Sequence, residues 1–174
     1  LSDLGDRVEA LAAYEKAQAL LDTSPVLKDD TAHDLRRAEI ASNRVLCLHD
    51  LGRPAEALAA YGMAQELLDT SPVLKDDTAH DQLRVTVAAN VGLCLYDLAR
   101  PAEALVAHDM AQALLDNSRV LKGNTAHDRM RAQVAVSRSN CLRDIGCPEE
   151  GHEVCRAALD RFATSPVLRV SSLE

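Results

Sequence analysis

The chain has 174 residues, is 47% hydrophobic and carries a formal net charge of −8. A negative balance of that size argues against broad nucleic-acid binding, and no apolar run approaches the ~20 residues of a membrane span. Only four residues are aromatic (Tyr14, Tyr61, Tyr96 and Phe162), so the core must be built from Ala and Leu, which suits close-packed helices and not a β-sandwich.

In chain order, Leu1 to Leu4 read as the last turn of a helix whose start is missing, because Asp97-Leu98 and Asp144-Ile145 close a helix at the same point of later units. Arg7 to Asp22 is then a second helix without its partner. Residues 1–31 form a partial repeat on this reading, and the chain is expected to be a fragment of a longer array. The loop Thr23-Ser24-Pro25-Val26-Leu27-Lys28-Asp29-Asp30 recurs at 70–77 and, more loosely, at 117–124. Its Ser24-Pro25-Val26-Leu27 core is expected to make a short turn that tucks both apolar side chains onto the helix ends.

Three helix pairs follow, at about 32–69, 79–116 and 126–163, and 164–174 is a tail; the count is seven helices in a single solenoid. Pro54 suits a first helical position, where its missing N–H costs nothing. Ala57, Leu58, Tyr61, Ala64 and Leu68 recur at three- and four-residue steps as one apolar stripe. Gly52 fits a helix C-terminus, and the short link Leu51-Gly52-Arg53-Pro54 forces antiparallel neighbours. Thr78 reads as the N-cap of the next helix, with Asp81 as a weak capping partner. Leu83, Val87, Val91, Cys94, Leu95 and Leu98 supply that helix's stripe.

The pairs are copies of one unit. Leu4, Leu51, Leu98 and Ile145 are each 47 residues apart, and so are His33, His80 and His127, Cys47, Cys94 and Cys141, and Pro54, Pro101 and Pro148. A period kept without insertion means one structural unit stacked on itself, each burying its apolar face against its neighbours.

Asn90-Val91-Gly92-Leu93-Cys94-Leu95-Tyr96-Asp97-Leu98-Ala99-Arg100-Pro101-Ala102-Glu103-Ala104-Leu105, followed by Ala111, resembles a tetratricopeptide repeat (TPR). The period is longer than the usual ~34 residues and is similar to that of kinesin-light-chain-like arrays. The resemblance implies an all-α, right-handed α-solenoid of antiparallel helix pairs. There are departures. Pro54, Pro101 and Pro148 stand where the family has an aromatic, and the second-helix aromatic column reads Tyr14, Tyr61, His108, Cys155. Gly151 replaces an Ala at a cost of about 1 kcal/mol, so the last helix is expected to be the least stable.

No catalytic or cofactor pattern is present: there is no Gly-x-Ser-x-Gly elbow, phosphate loop or His-Glu-x-x-His. An enzyme is not expected, nor a cofactor. The His33, His80, His127 column cannot share one metal ion, because stacked helices lie ~8–10 Å apart; each His is expected to bond the adjoining loop. The Cys47, Cys94, Cys141 column reads as core filler, and Cys147 as the more exposed thiol. Five cysteines without framework spacing read as reduced, hence a cytoplasmic expectation.

In TPR proteins the first helices line a concave groove. Carried over column by column, the groove should present Asn43, Asn90 and Ser137; Leu46, Leu93 and Asn140; and His49, Tyr96 and Arg143, with Glu39, Thr86 and Gln133 further along. The expected role is a protein–protein or peptide-binding scaffold. Residues 98–144 carry a net +2 where residues 1–50 and 51–97 each carry −4, so a ligand with an acidic end would place it there. The alternatives are the sensor arm of a larger multidomain protein and a head-to-tail self-assembling repeat.

Overall fold

The computed structural model describes residues 2–23, 31–71, 80–124 and 127–163. They form seven helices: α1 (Ser2–Thr23), α2 (Thr31–Asp50), α3 (Pro54–Thr70), α4 (Asp81–Asp97), α5 (Pro101–Asn117), α6 (Asp128–Asp144) and α7 (Pro148–Ala163). No strand occurs among the described residues. Each helix packs on the next in the chain. In addition α2 touches α4 and α4 touches α6, while α3, α5 and α7 stand further apart from one another. The result is an all-α solenoid with the first helices of the pairs on the inside of the stack.

The link within each pair has one geometry. Gly52 takes a φ of 69°, the Gly52 N–H donates to the His49 carbonyl (2.9 Å) and the Arg53 N–H to the Leu48 carbonyl (2.8 Å). This is the Schellman closure, with Gly in the left-handed position. Ala99 and Gly146 occupy the same place in the next two links, with the same two bonds. Ala99 holds its φ of 56° despite its Cβ. Pro54, Pro101 and Pro148 then open α3, α5 and α7.

The first unit departs from this pattern. No helix break follows Leu4, because α1 runs unbroken from Ser2 to Thr23. Arg7 stands where the later units have Pro, so nothing halts a helix that passes through Gly5. The expected cap at Thr78 lies outside the described residues. α4 and α6 start at Asp81 and Asp128, with His80 and His127 in the cap position and no side-chain cap bond.

The pairs are fastened at the C-termini of the second helices, where unmet carbonyls need donors. His33 Nε2–H donates to the Leu21 carbonyl at 3.0 Å. In the next unit Arg84 donates to the equivalent Leu68 carbonyl, and in the next Arg131 donates to Leu115 at 2.9 Å. Arg131 is 4% exposed and also donates to the carbonyls of Leu121 and Asn124 and to Asp128. The turn expected at Ser24-Pro25-Val26-Leu27 lies outside the described residues, but its looser copy is visible. Ser118 Oγ accepts the N–H groups of Val120 and Leu121. Leu121 is fully buried against Val85, Leu115 and Val134. Val120 is 47% exposed, so in this copy only one of the two apolar side chains is tucked in.

Small residues set the helix spacing. Ala57 and Ala104 are fully buried. Gly151 stands in the same column, and a Cβ there would lie 3.0 Å from the Ser139 carbonyl oxygen. Its helix-propensity cost is therefore offset by the close approach of α6, which the sequence reading did not foresee. Cys47, Cys94 and Cys141 are buried, and burial pushes their thiols up, that of Cys94 to about 11. They are packing groups, not nucleophiles.

Two outcomes follow for urea unfolding. Ala99→Gly should raise stability by about 1 kcal/mol, because it relieves the left-handed strain without touching a contact. Arg131→Met should lower it by about 3–5 kcal/mol, because the buried Asp128 and three carbonyls lose their donor; Asp128→Leu added to it should recover part of that loss.

Candidate functional site

The inner face is made by α2, α4 and α6, and the twelve residues expected to line it fall into three zones. Leu46, Asn90, Leu93 and Gln133, one or more from each helix, meet around one cavity of about 220 Å³ together with Thr86, Ser137 and Met130. Asn43 is exposed and lines an adjoining hollow of about 450 Å³ with Glu39, Gln82 and Thr86. Thr86 is common to both.

The third zone is the rim, at the C-terminal ends of the same helices. His49, Tyr96, Asn140 and Arg143 lie here with their polar atoms engaged. His49 Nε2 sits 2.8 Å from an Asp97 carboxylate oxygen. One unit on, the Tyr96 hydroxyl donates to Asp144 at 2.5 Å. The pattern is a ladder: the residue before the terminal Asp of one first helix reaches the terminal Asp of the next. Arg143, in the same column, turns onto Asn140 Oδ1 (3.2 Å) and Asp144 (3.0 Å) within its own helix. The hydrogen bonds from Tyr96 and Arg143 hold the Asp144 carboxyl below its ordinary range, and that from Tyr96 raises the phenol in turn. His49 and Tyr96 thus serve as inter-unit fasteners before they serve any ligand.

The cavity floor contains a residue the groove reading left out. His108 projects from α5 and is 1% exposed. Its ring occupies the space over Gly92, where a Cβ would come within 2.5 Å of the imidazole. Among the described residues neither ring nitrogen has a hydrogen-bond partner, and neither has Asn90 Nδ2. Asn90 lies beside the Tyr61 hydroxyl without closing a hydrogen bond to it. Burial lowers His108 to about 4, so the imidazole is neutral at pH 7. The nearest charges, Asp109 and Arg138, are paired with each other at 2.6 Å. The available signal in the sequence was a double departure: His at the aromatic column and Gly at its contact.

The loop histidines are placed otherwise. His33 bonds a carbonyl, as above, and His127 is buried. Among the described residues no group of three or more His, Cys, Asp or Glu comes together to hold a metal ion, and no helix is long and apolar enough to cross a membrane.

His108 yields a pH dependence whose sign is fixed. Its folded value lies below that of an unfolded histidine, so below pH ~6.5 the unfolded chain takes up a proton that the folded chain refuses. Stability should therefore fall as pH drops from ~6.5 towards 4 and level off below the folded value. Denaturant titrations of wild type and His108→Phe across that window check this, and the variant should show a flatter profile.

Comparison with known proteins returns one family. Residues 3–69 match the model described as Tetratrico peptide repeat. Searches of curated proteins and of solved structures gave no match. The matched segment holds α1, α2 and α3, and the rest of the described chain repeats its helix pair twice more at the same step. Residues 3–69 are therefore of TPR type, and the later helix pairs repeat their pattern.

Proposed function

We propose that this solenoid is a non-catalytic recognition scaffold that holds an extended peptide segment of a protein partner along the face made by α2, α4 and α6. The observation that carries the reading is convergence. Leu46, Asn90, Leu93 and Gln133 come from three separate units, yet they border one hollow of side-chain size. A surface assembled from successive units suits a ligand that runs along the stack. Asn90 and Gln133 offer amide donors and acceptors to a peptide backbone, and Leu46 and Leu93 offer apolar contact. A negatively charged end of the segment would lie towards α6, where Arg143 is exposed and residues 98–144 carry a net +2.

The mechanism is rigid presentation. The rim ladder and the buried arginine hold the inner helices in place before binding, so little ordering cost is left for the encounter. The sensor-arm alternative uses the same face and differs in what the array is joined to.

The test is a peptide-array screen with the wild-type chain beside Asn43→Ala/Gln133→Ala/Arg143→Ala, each checked by a thermal melt. These three side chains are exposed, so the variant should melt within a few degrees of wild type. Wild type is expected to capture a set of peptides that the variant binds at least about tenfold more weakly, a difference of ~1.4 kcal/mol. Equal capture by both would move the site off this face.

A further inference from the structure

The cavity between α2, α4 and α6 is walled mainly by apolar groups, among them Leu46, Leu93, Met130 and Val134. Apolar walls alone would say nothing about an occupant. Here two polar groups at the same cavity are left without partners among the described residues: Asn90 Nδ2 and both nitrogens of His108, the latter on a side chain 1% exposed. A buried polar group without a hydrogen bond costs about 1–3 kcal/mol, and native interiors leave few of them. Two at one hollow mark a place where a visiting group would be rewarded for supplying hydrogen bonds. The volume, about 220 Å³, falls below the ~300–1,000 Å³ of sites for whole small molecules. It is the scale of one side chain.

We propose that this cavity receives a neutral side chain of the bound segment that carries both a hydrogen-bond donor and an acceptor on an apolar stem, a carboxamide or a hydroxyl. The proposal rests on the groove reading above and specifies what the groove selects at its centre. The donor–acceptor inventory decides the chemistry. Asn90 Nδ2 seeks an acceptor. A neutral imidazole has one N–H and one lone pair, so it seeks both an acceptor and a donor. A carboxamide or hydroxyl can accept from Asn90 Nδ2 and, at the ring nitrogen that it reaches, either accept or donate as the tautomer requires, whereas an aliphatic tip can do neither. A carboxylate could accept but not donate, and it would be fully satisfied only if the ring took up a proton. Burial opposes that protonation, because it holds the ring neutral well below pH 7. Asp109 and Arg138 neutralise each other and leave no net charge to recruit an ion.

The experiment uses four probes with the intact chain: N-acetylglutamine amide, N-acetylhomoserine amide, N-acetylglutamate amide and N-acetylnorleucine amide. Each is titrated to millimolar concentrations and read by NMR at the His108 ring and the Asn90 side-chain amide. The glutamine or the homoserine probe should saturate both signals and bind roughly three- to tenfold more tightly than the glutamate and norleucine probes, the factor one net hydrogen bond supplies. Whichever of the two wins names the tip. His108→Phe should erase that preference, and Asn90→Ala, made at a half-buried position, should reduce it independently if the first variant folds poorly. Preference for glutamate or norleucine, or no response at His108 and Asn90 from any probe, overturns the proposal. If peptides are captured by the inner face in the array while His108 stays silent to all four probes, the groove reading stands and the pocket inference alone falls.

Discussion

The structure depends on how each second helix ends. Its last carbonyls point into the stack, and the following pair must meet them with donors. The same acceptor position, Leu21, Leu68 and Leu115, is served by His33, Arg84 and Arg131 in turn. The third of these is the most complete, with a buried guanidinium spanning the helix end, the loop and its own helix's first turn. Leaving such groups unpaired would cost ~1–3 kcal/mol each, a large share of the ~5–15 kcal/mol that stabilises a domain. The pairing therefore sets where one pair sits on the last, and through that where α2, α4 and α6 stand relative to one another.

With the stack held from its ends, the inner helices can vary. Columns in contact across a pair show this. In one unit Val45 and Tyr61 are both fully buried. In the next unit the same positions are Gly92 and His108, and in the last Ser139 and Cys155. Removing the side chain at 92 makes room for an imidazole over the α4 backbone. It also exchanges an aromatic that brings one polar atom for a ring that brings two. The unit that departs most from its neighbours at these two columns is the one whose second helix forms the floor of the cavity. Variation within a scaffold of fixed period thus has a chemical consequence at this cavity.

Architecture was legible in the sequence because it repeats. Proline at the start of a helix, a left-handed residue before it and an apolar stripe after it recur at Pro54, Pro101 and Pro148, and a pattern stated three times resists misreading. The expected break after Leu4, which α1 does not show, arose from extending that pattern to a unit where Arg7 replaces the proline. The close approach at Gly151 was not legible for a related reason: propensity is a local property, while the need for glycine there comes from the Ser139 carbonyl on another helix. The groove was half legible. Column matching brings Leu46, Asn90, Leu93 and Gln133 together, since one face of a first helix recurs in each unit. It cannot say that His49 and Tyr96 spend their polar atoms on Asp97 and Asp144, because that depends on the offset between units, a distance no single sequence prints. His108 escaped because it reaches the inner cavity from a second helix.

The division between rim and floor also bears on how such a face can be selective. The rim pairs are exposed, and exposed ion pairs and hydrogen bonds of this kind contribute little stability apiece. Their effect is geometric: each joins the ends of two neighbouring first helices, so the spacing of those helices is shared among several weak ties and is not left to packing alone. A floor cavity of side-chain size, lined from α2, α4 and α6, keeps its shape only if that spacing holds. On the proposed reading, discrimination at the floor, where each unmet donor or acceptor is worth far more than a rim contact, would depend on ties that need not touch a ligand. That is a physical reason for polar residues at inner positions such as His49 and Tyr96 to be turned towards the next unit and away from the groove.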